Sequence, residues 1–188
     1  MATLEGQTIA GSYKDLLQVS NSNSGVDATA RAVSDGEGTA TLLYVSTTEV
    51  YSPGTGGSNN TAFGINAGDA LATNGDSNTV YGAEAATALS TADRNVAIGH
   101  NAFYQATTGA DDNVAIGYNA MSGAIAAELV DDCVAIGSGA LSGPLDSTDG
   151  LDESSGSIAI GFETLSSLKD GADNIAIGYK AGKYILSG

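Results

Sequence analysis

The chain has 188 residues, room for one domain or a short repeat array and too few for two full-sized domains. Hydrophobic residues make up 42% of it, which excludes disorder on composition, yet only 15% are charged and 26 are glycine, a balance that favours an extended β-rich repeat over a helical domain. Six Lys and Arg against 22 Asp and Glu give a formal charge of −16, which repels nucleic acid and anionic membranes at long range, so no nucleic-acid partner is expected.

The opening residues lack the basic start and hydrophobic stretch of a secretion signal, and no apolar run approaches the ~20 residues of a membrane helix. Membrane insertion is not expected. Leu16-Leu17-Gln18-Val19-Ser20 and Leu42-Leu43-Tyr44-Val45-Ser46 share the pattern LLxVS and read as strands. Turn-rich stretches at 21–25 and 34–38 flank a third strand at 28–33. A few strands of this length form a sheet that is marginal unless its apolar face is covered, so residues 1–52 are predicted to be a β-rich attachment segment. Residues 53–58, Pro-Gly-Thr-Gly-Gly-Ser, have the composition of a linker.

From residue 59 to 188 the chain is a repeat. Seven blocks share one pattern: NTAFGINA from Asn60, NTVYGAEA from Asn78, NVAIGHNA from Asn95, NVAIGYNA from Asn113, CVAIGSGA from Cys133, SIAIGFET from Ser157 and NIAIGYKA from Asn174. The block glycines are Gly64, Gly82, Gly99, Gly117, Gly137, Gly161 and Gly178, spaced by 18, 17, 18, 20, 24 and 17 residues. The base period is 17 to 18, with insertions at 122–132 and 142–156. A single unit of this size cannot bury an apolar face, but stacked units share a continuous core and a parallel ladder, so the predicted fold is an all-β parallel β-roll or β-solenoid of about seven coils.

Within each block the positions three and one before the glycine are bulky and the one between them is small. A strand sends these to opposite faces. The expectation is that the bulky residues, Tyr81 among them, fill the coil. The row Ala62, Ala97, Ala115, Ala135, Ala159 and Ala176 would then face a neighbouring chain. After the glycine corner, runs such as Ala120-Met121 and Ala140-Leu141 are predicted to form a second short strand. A thin coil gains from burial between chains, so an oligomer is expected.

The repeat, seen best from Asn95 to Ala102 and from Asn113 to Ala120, resembles the heads of trimeric autotransporter adhesins of bacteria and the fibre proteins of tailed phages. The stretch from Gly11 to Asp27, followed by Asp35-Gly36-Glu37-Gly38-Thr39, resembles segments of tail-fibre or structural proteins of marine phages, cyanophages included. The resemblance implies a parallel homotrimer of left-handed β-rolls on a virion, at the phage tail or capsid surface, with residues 1–52 docking to other virion proteins. It implies attachment to a host surface glycan or protein. The pattern is departed from at Cys133 and Ser157, where asparagine is expected, and at Thr164, where alanine is expected. The adhesin setting calls for a signal peptide and a C-terminal anchor, neither of which is read here. The alternatives are a capsid decoration protein without a receptor role and an adhesin-like head.

Catalysis and cofactors are not expected. His100 is the only histidine, so a histidine triad for a metal is excluded within one chain, and its place after a repeat glycine makes it a surface residue. Cys133 aligns with the block asparagines, beside Asp131 and Asp132, and reads as a small residue at a strand start; a reactive thiol wants positive neighbours. The acidic turns at 111–112, 131–132, 146–152 and 170–173 match no calcium motif and read as solvated loops, so no metal site is assigned. No pair of acids is singled out for glycan cleavage, and the threonine row needed to order ice stops after Thr61 and Thr79. Tyr118 and Tyr179 follow repeat glycines, where exposed rings can stack on sugars or anchor a protein contact.

Overall fold

A computed structural model describes residues 59–187 apart from 72–74, 106–108, 124–129 and 146–154, together with the backbone of four short strands nearer the N-terminus. The chain separates into two units, Met1–Pro53 and Gly54–Gly188. In the first, β1 (Gln18–Val19), β2 (Arg31–Ser34), β3 (Ala40–Val45) and β4 (Val50–Tyr51) pair antiparallel in sequence order. The β2–β3 register shifts between Ala32 and Ser34.

The second unit is a β-solenoid. Its strands are β5 (Thr61–Phe63), β6 (Thr79–Tyr81), β7 (Val96–Ile98), β8 (Val114–Ile116), β9 (Val134–Ile136), β10 (Ile158–Ile160) and β11 (Ile175–Ile177). They lie side by side in chain order, all parallel and in register, so Ala97 sits over Ala115 and Ile98 over Ile116. At ~4.8 Å per rung the seven strands span ~30 Å. No helix is present among the described residues, and none there is long and apolar enough to cross a membrane.

The inside and outside of the coil are the reverse of the sequence expectation. Ala62, Ala97, Ala115, Ala135 and Ala159 are buried within their own chain, and Ala176 packs against the same core from the last, half-open rung. Tyr81, expected inside, is 58% exposed. The cause is the width of the coil. In the third to sixth coils the turn after the glycine sends a large side chain inward from the opposite wall, and Phe103, Met121, Leu141 and Leu165 fill the interior. Across so narrow a space only a methyl group fits facing them; a branched residue would overpack it.

That opposite wall is not a second strand. Met121 and Leu141 have φ of 51° and 49°, a left-handed conformation that costs a side-chain-bearing residue about 1 kcal/mol. Two hydrogen-bond sets hold it there. Ala120 N–H donates to the Gly117 carbonyl at 3.3 Å and closes the turn. Met121 N–H donates to the Ala140 carbonyl of the next coil at 2.9 Å, and Leu141 N–H to Thr164 at 2.9 Å. The inter-coil ladder therefore continues round the corner without extended chain.

The repeat glycines stack on one another. Gly117 has φ of 134°, and a Cβ there would lie 2.7 Å from the Gly137 carbonyl carbon and oxygen. No side chain fits between rungs at that corner.

Candidate functional site

The core is stitched by an asparagine ladder. Asn78 N–H donates to Asn60 Oδ1 at 2.8 Å, Asn95 N–H to Asn78 Oδ1 at 2.9 Å and Asn113 N–H to Asn95 Oδ1 at 2.9 Å. The amide nitrogens of the same side chains donate to loop carbonyls: Asn78 to Ala92 at 2.7 Å, Asn95 to Ala110 at 2.7 Å and Asn113 to Val130 at 2.6 Å. Asn78, Asn95 and Asn113 are buried, so these bonds satisfy groups that water cannot reach.

Two residues upstream runs a second ladder of opposite polarity. Asp76 N–H donates to Asp93 Oδ1, Asp93 N–H to Asp111 Oδ1 and Asp111 N–H to Asp131 Oδ1, each at 2.7 Å. Asp111 and Asp131, expected as solvated turn residues, are thus structural. Arg94 donates from Nε to Asp112 at 2.6 Å and reaches Asp111 at 3.4 Å. This contact holds the Asp112 carboxyl below its usual range, with Arg94 raised by the same bond. Among the described residues no cluster of His, Cys, Asp and Glu is arranged to hold a metal. The acidic stretch 146–152 lies outside the described residues.

Cys133 is buried, and burial pushes its thiol up to about 11 although the Ser157 and Gly156 backbone N–H groups favour the thiolate. His100 is exposed and stacks on Tyr118, with ring centroids 5.7 Å apart.

The feature that stands out is the outward face of the seven-stranded sheet. It carries Thr61 and Phe63, Thr79 and Tyr81, Val96 and Ile98, Val114 and Ile116, Val134 and Ile136, Ile158 and Ile160, Ile175 and Ile177. Only Thr61 and Thr79 are polar. Ile175 and Ile177 are 71% and 66% exposed, and Phe63 and Tyr81 stack at 5.6 Å. Isoleucines one rung apart leave no gap for a solvating side chain, so the face is a continuous apolar strip. Next to it, beyond the glycine corner, runs a row of Ile65, Ala83, His100, Tyr118, Ser138, Phe162 and Tyr179. Ile65, Tyr118, Phe162 and Tyr179 in it are exposed.

The alanine row, expected to face a neighbouring chain, is closed off inside its own coil from Ala62 to Ala159, and Ala176 is only partly covered on the last rung. The signal for which row lies inside was present in the coil length, because 17 to 18 residues enclose too little space for branched side chains from both walls. No protein-family model, curated protein or solved structure matches the chain.

Proposed function

We propose that this chain is a structural subunit of a virion appendage, a homotrimer whose solenoids pack through the outward Val/Ile face and whose residues 1–52 dock to other virion proteins. The observation that carries the reading is the uninterrupted apolar strip on β7 to β11. Large exposed apolar patches on soluble proteins mark interaction sites, and a parallel sheet is normally covered on both faces. Three copies arranged about an axis parallel to the ladder each turn one strip inward, and rotational closure leaves no strip over. The resemblance of the NVAIG blocks to trimeric adhesin heads and phage fibres supports three copies over two. A rigid rod with three equivalent flanks serves host attachment by multivalency, since contacts on one particle share a high effective concentration.

Sedimentation velocity tests the assembly. The expected species is a trimer, three times the 18.6 kDa of the chain. Ile116→Asp, a charge in the middle of the strip, is expected to give a monomer that keeps its β circular dichroism. A wild-type monomer at micromolar concentration overturns the reading. Antibody labelling of particles then tests the placement, and signal spread over the whole shell would favour a decoration protein.

A further inference from the structure

From His100 to Tyr179 the row beyond the glycine corner is a column of stacked rings with one ring missing. His100 stacks on Tyr118 at 5.7 Å with planes 14° apart, and Phe162 stacks on Tyr179 at 5.5 Å with planes 11° apart. Between the two pairs lies the Cys133 coil, which has Ser138 at this position and Gly139 after it. The result is a notch of about 500 Å³ lined by Tyr118 and Phe162, with Ser138, Gly139, Ser142 and Glu163 among its other lining residues. The volume lies within the range of small-ligand sites.

We propose that this notch binds one ring of a neutral glycan, inserted between Tyr118 and Phe162. Tyr118 and Phe162 stand two rungs apart, and rings one rung apart on this column are 5.5 and 5.7 Å from each other, so a ring at the level of Ser138 lies about one such step from each, within the distance at which flat faces stack. A pyranose offers C–H groups on its faces to the two aromatic walls and hydroxyls at its rim to the polar lining. Ser122 and Ser166 border the notch and supply hydroxyls that both donate and accept, and Ser142, whose hydroxyl donates to the Gly139 carbonyl at 3.0 Å, offers its lone pairs. Glu163 supplies carboxylate oxygens, and Lys183 Nζ holds one of them at 2.6 Å. Lys180 Nζ adds a second contact to the same oxygen at 3.6 Å, so the carboxylate is engaged within the chain, and the formal charge of −16 repels an anionic ligand, which together select for an uncharged one. Asn119, also on the lining, keeps a buried side-chain oxygen that no donor among the described residues satisfies. A planar aromatic ligand would fill the gap but leave this polar rim unpaired.

The proposal rests on the attachment reading for its biological role and on the notch alone for its chemistry. Saturation-transfer NMR with lactose, maltose and cellobiose on the full chain tests it, with sialyllactose as the acidic comparator and tyrosine amide as the planar one. The expected result is saturation of ring C–H protons of at least one neutral disaccharide. Ser138→Tyr, which puts into the gap the residue found at 118 and 179, is expected to abolish the signal with circular dichroism and sedimentation unchanged. Tyr118→Ala and Phe162→Ala are each expected to weaken it several-fold. Absence of transfer to all three sugars, binding that survives Ser138→Tyr, or preference for sialyllactose or tyrosine amide overturns the assignment. A wild-type monomer whose sugar signal disappears in Ser138→Tyr removes the appendage reading and leaves the notch; a trimer without sugar signal does the opposite.

Discussion

In the coils that begin at Asn60, Asn78, Asn95 and Asn113, one side chain serves two neighbours: its oxygen accepts the backbone N–H that opens the next coil, and its amide donates to the carbonyl three residues before that point. The coils that begin at Cys133 and Ser157 keep the first function, and the Ser157 coil keeps only a weak form of the second. The Cys133 sulfur faces the Ser157 N–H, and Ser157 Oγ accepts from Asn174 N–H at 3.3 Å. Ser157 Oγ lies 3.5 Å from the Gly171 carbonyl, at the limit of a hydrogen bond. Both departures directly follow the two insertions. The lesson is that the acceptor is the obligatory half of the ladder, because a buried backbone N–H without a partner is the costlier defect, whereas the loop that closes the Ser157 coil tolerates a weaker tether.

The largest break in that contrast is Asn95→Ala. It orphans the Asn113 N–H and the Ala110 carbonyl in a buried site at once, and the expected cost is about 2–4 kcal/mol in denaturant unfolding. Asn95→Ser, which imitates the Ser157 coil, retains an acceptor and is expected to cost about half as much. Equal losses in the two variants would show that the amide donor, not the acceptor, carries the ladder.

Cys133 gives the next effect. Its thiol ionises near 9 when free and is pushed up to about 11 in the fold, so the unfolded chain loses its proton first as pH rises. Stability from this group is fully present below pH 9 and is lost as pH climbs through about 11, by ~2–3 kcal/mol in total. Other groups titrate in the same interval, so the measurement is the difference between the wild type and Cys133→Ser in urea midpoints from pH 8 to 11. The serine variant keeps an acceptor for the Ser157 N–H and is expected to lose the extra slope. Parallel curves for the two proteins would mean that the sulfur is not held away from water.

The period, the strands and the stacking of Gly64 to Gly178 were legible in the sequence, since a backbone that meets its own copy at every turn imprints one residue type at one spacing. The direction in which each row faces was not. Alternation places Ala97 and Ile98 on opposite faces but does not say which is inside; that depends on Phe103, Met121 and Leu141 entering from the other wall, which is a tertiary fact. These residues also adopt left-handed backbone that their side chains disfavour, so local propensity pointed to a strand where the chain turns. The second ladder was readable in hindsight. Asp76-Ser77-Asn78, Asp93-Arg94-Asn95, Asp111-Asp112-Asn113 and Asp131-Asp132-Cys133 all place aspartate two before the block start, a spacing more regular than a solvated turn requires. The gap at Ser138 shows only once the row containing it is known to be a stacked column.

The smallest change should sharpen the comparison by reversing it. Ser157→Asn restores to the sixth coil the residue that opens five of its neighbours. The new Oδ1 replaces Ser157 Oγ as acceptor for Asn174 N–H, now at 3.3 Å, and the new amide gains reach to the Gly171 carbonyl. That carbonyl already accepts from Asn174 Nδ2 at 2.7 Å, but a carbonyl has a second lone pair. The expected gain is ~1 kcal/mol, the net worth of one buried hydrogen bond, seen as a higher urea midpoint with an unchanged slope. A loss instead of a gain would mean that the interior at Ser157 has closed round the smaller side chain, making this coil narrower than its neighbours.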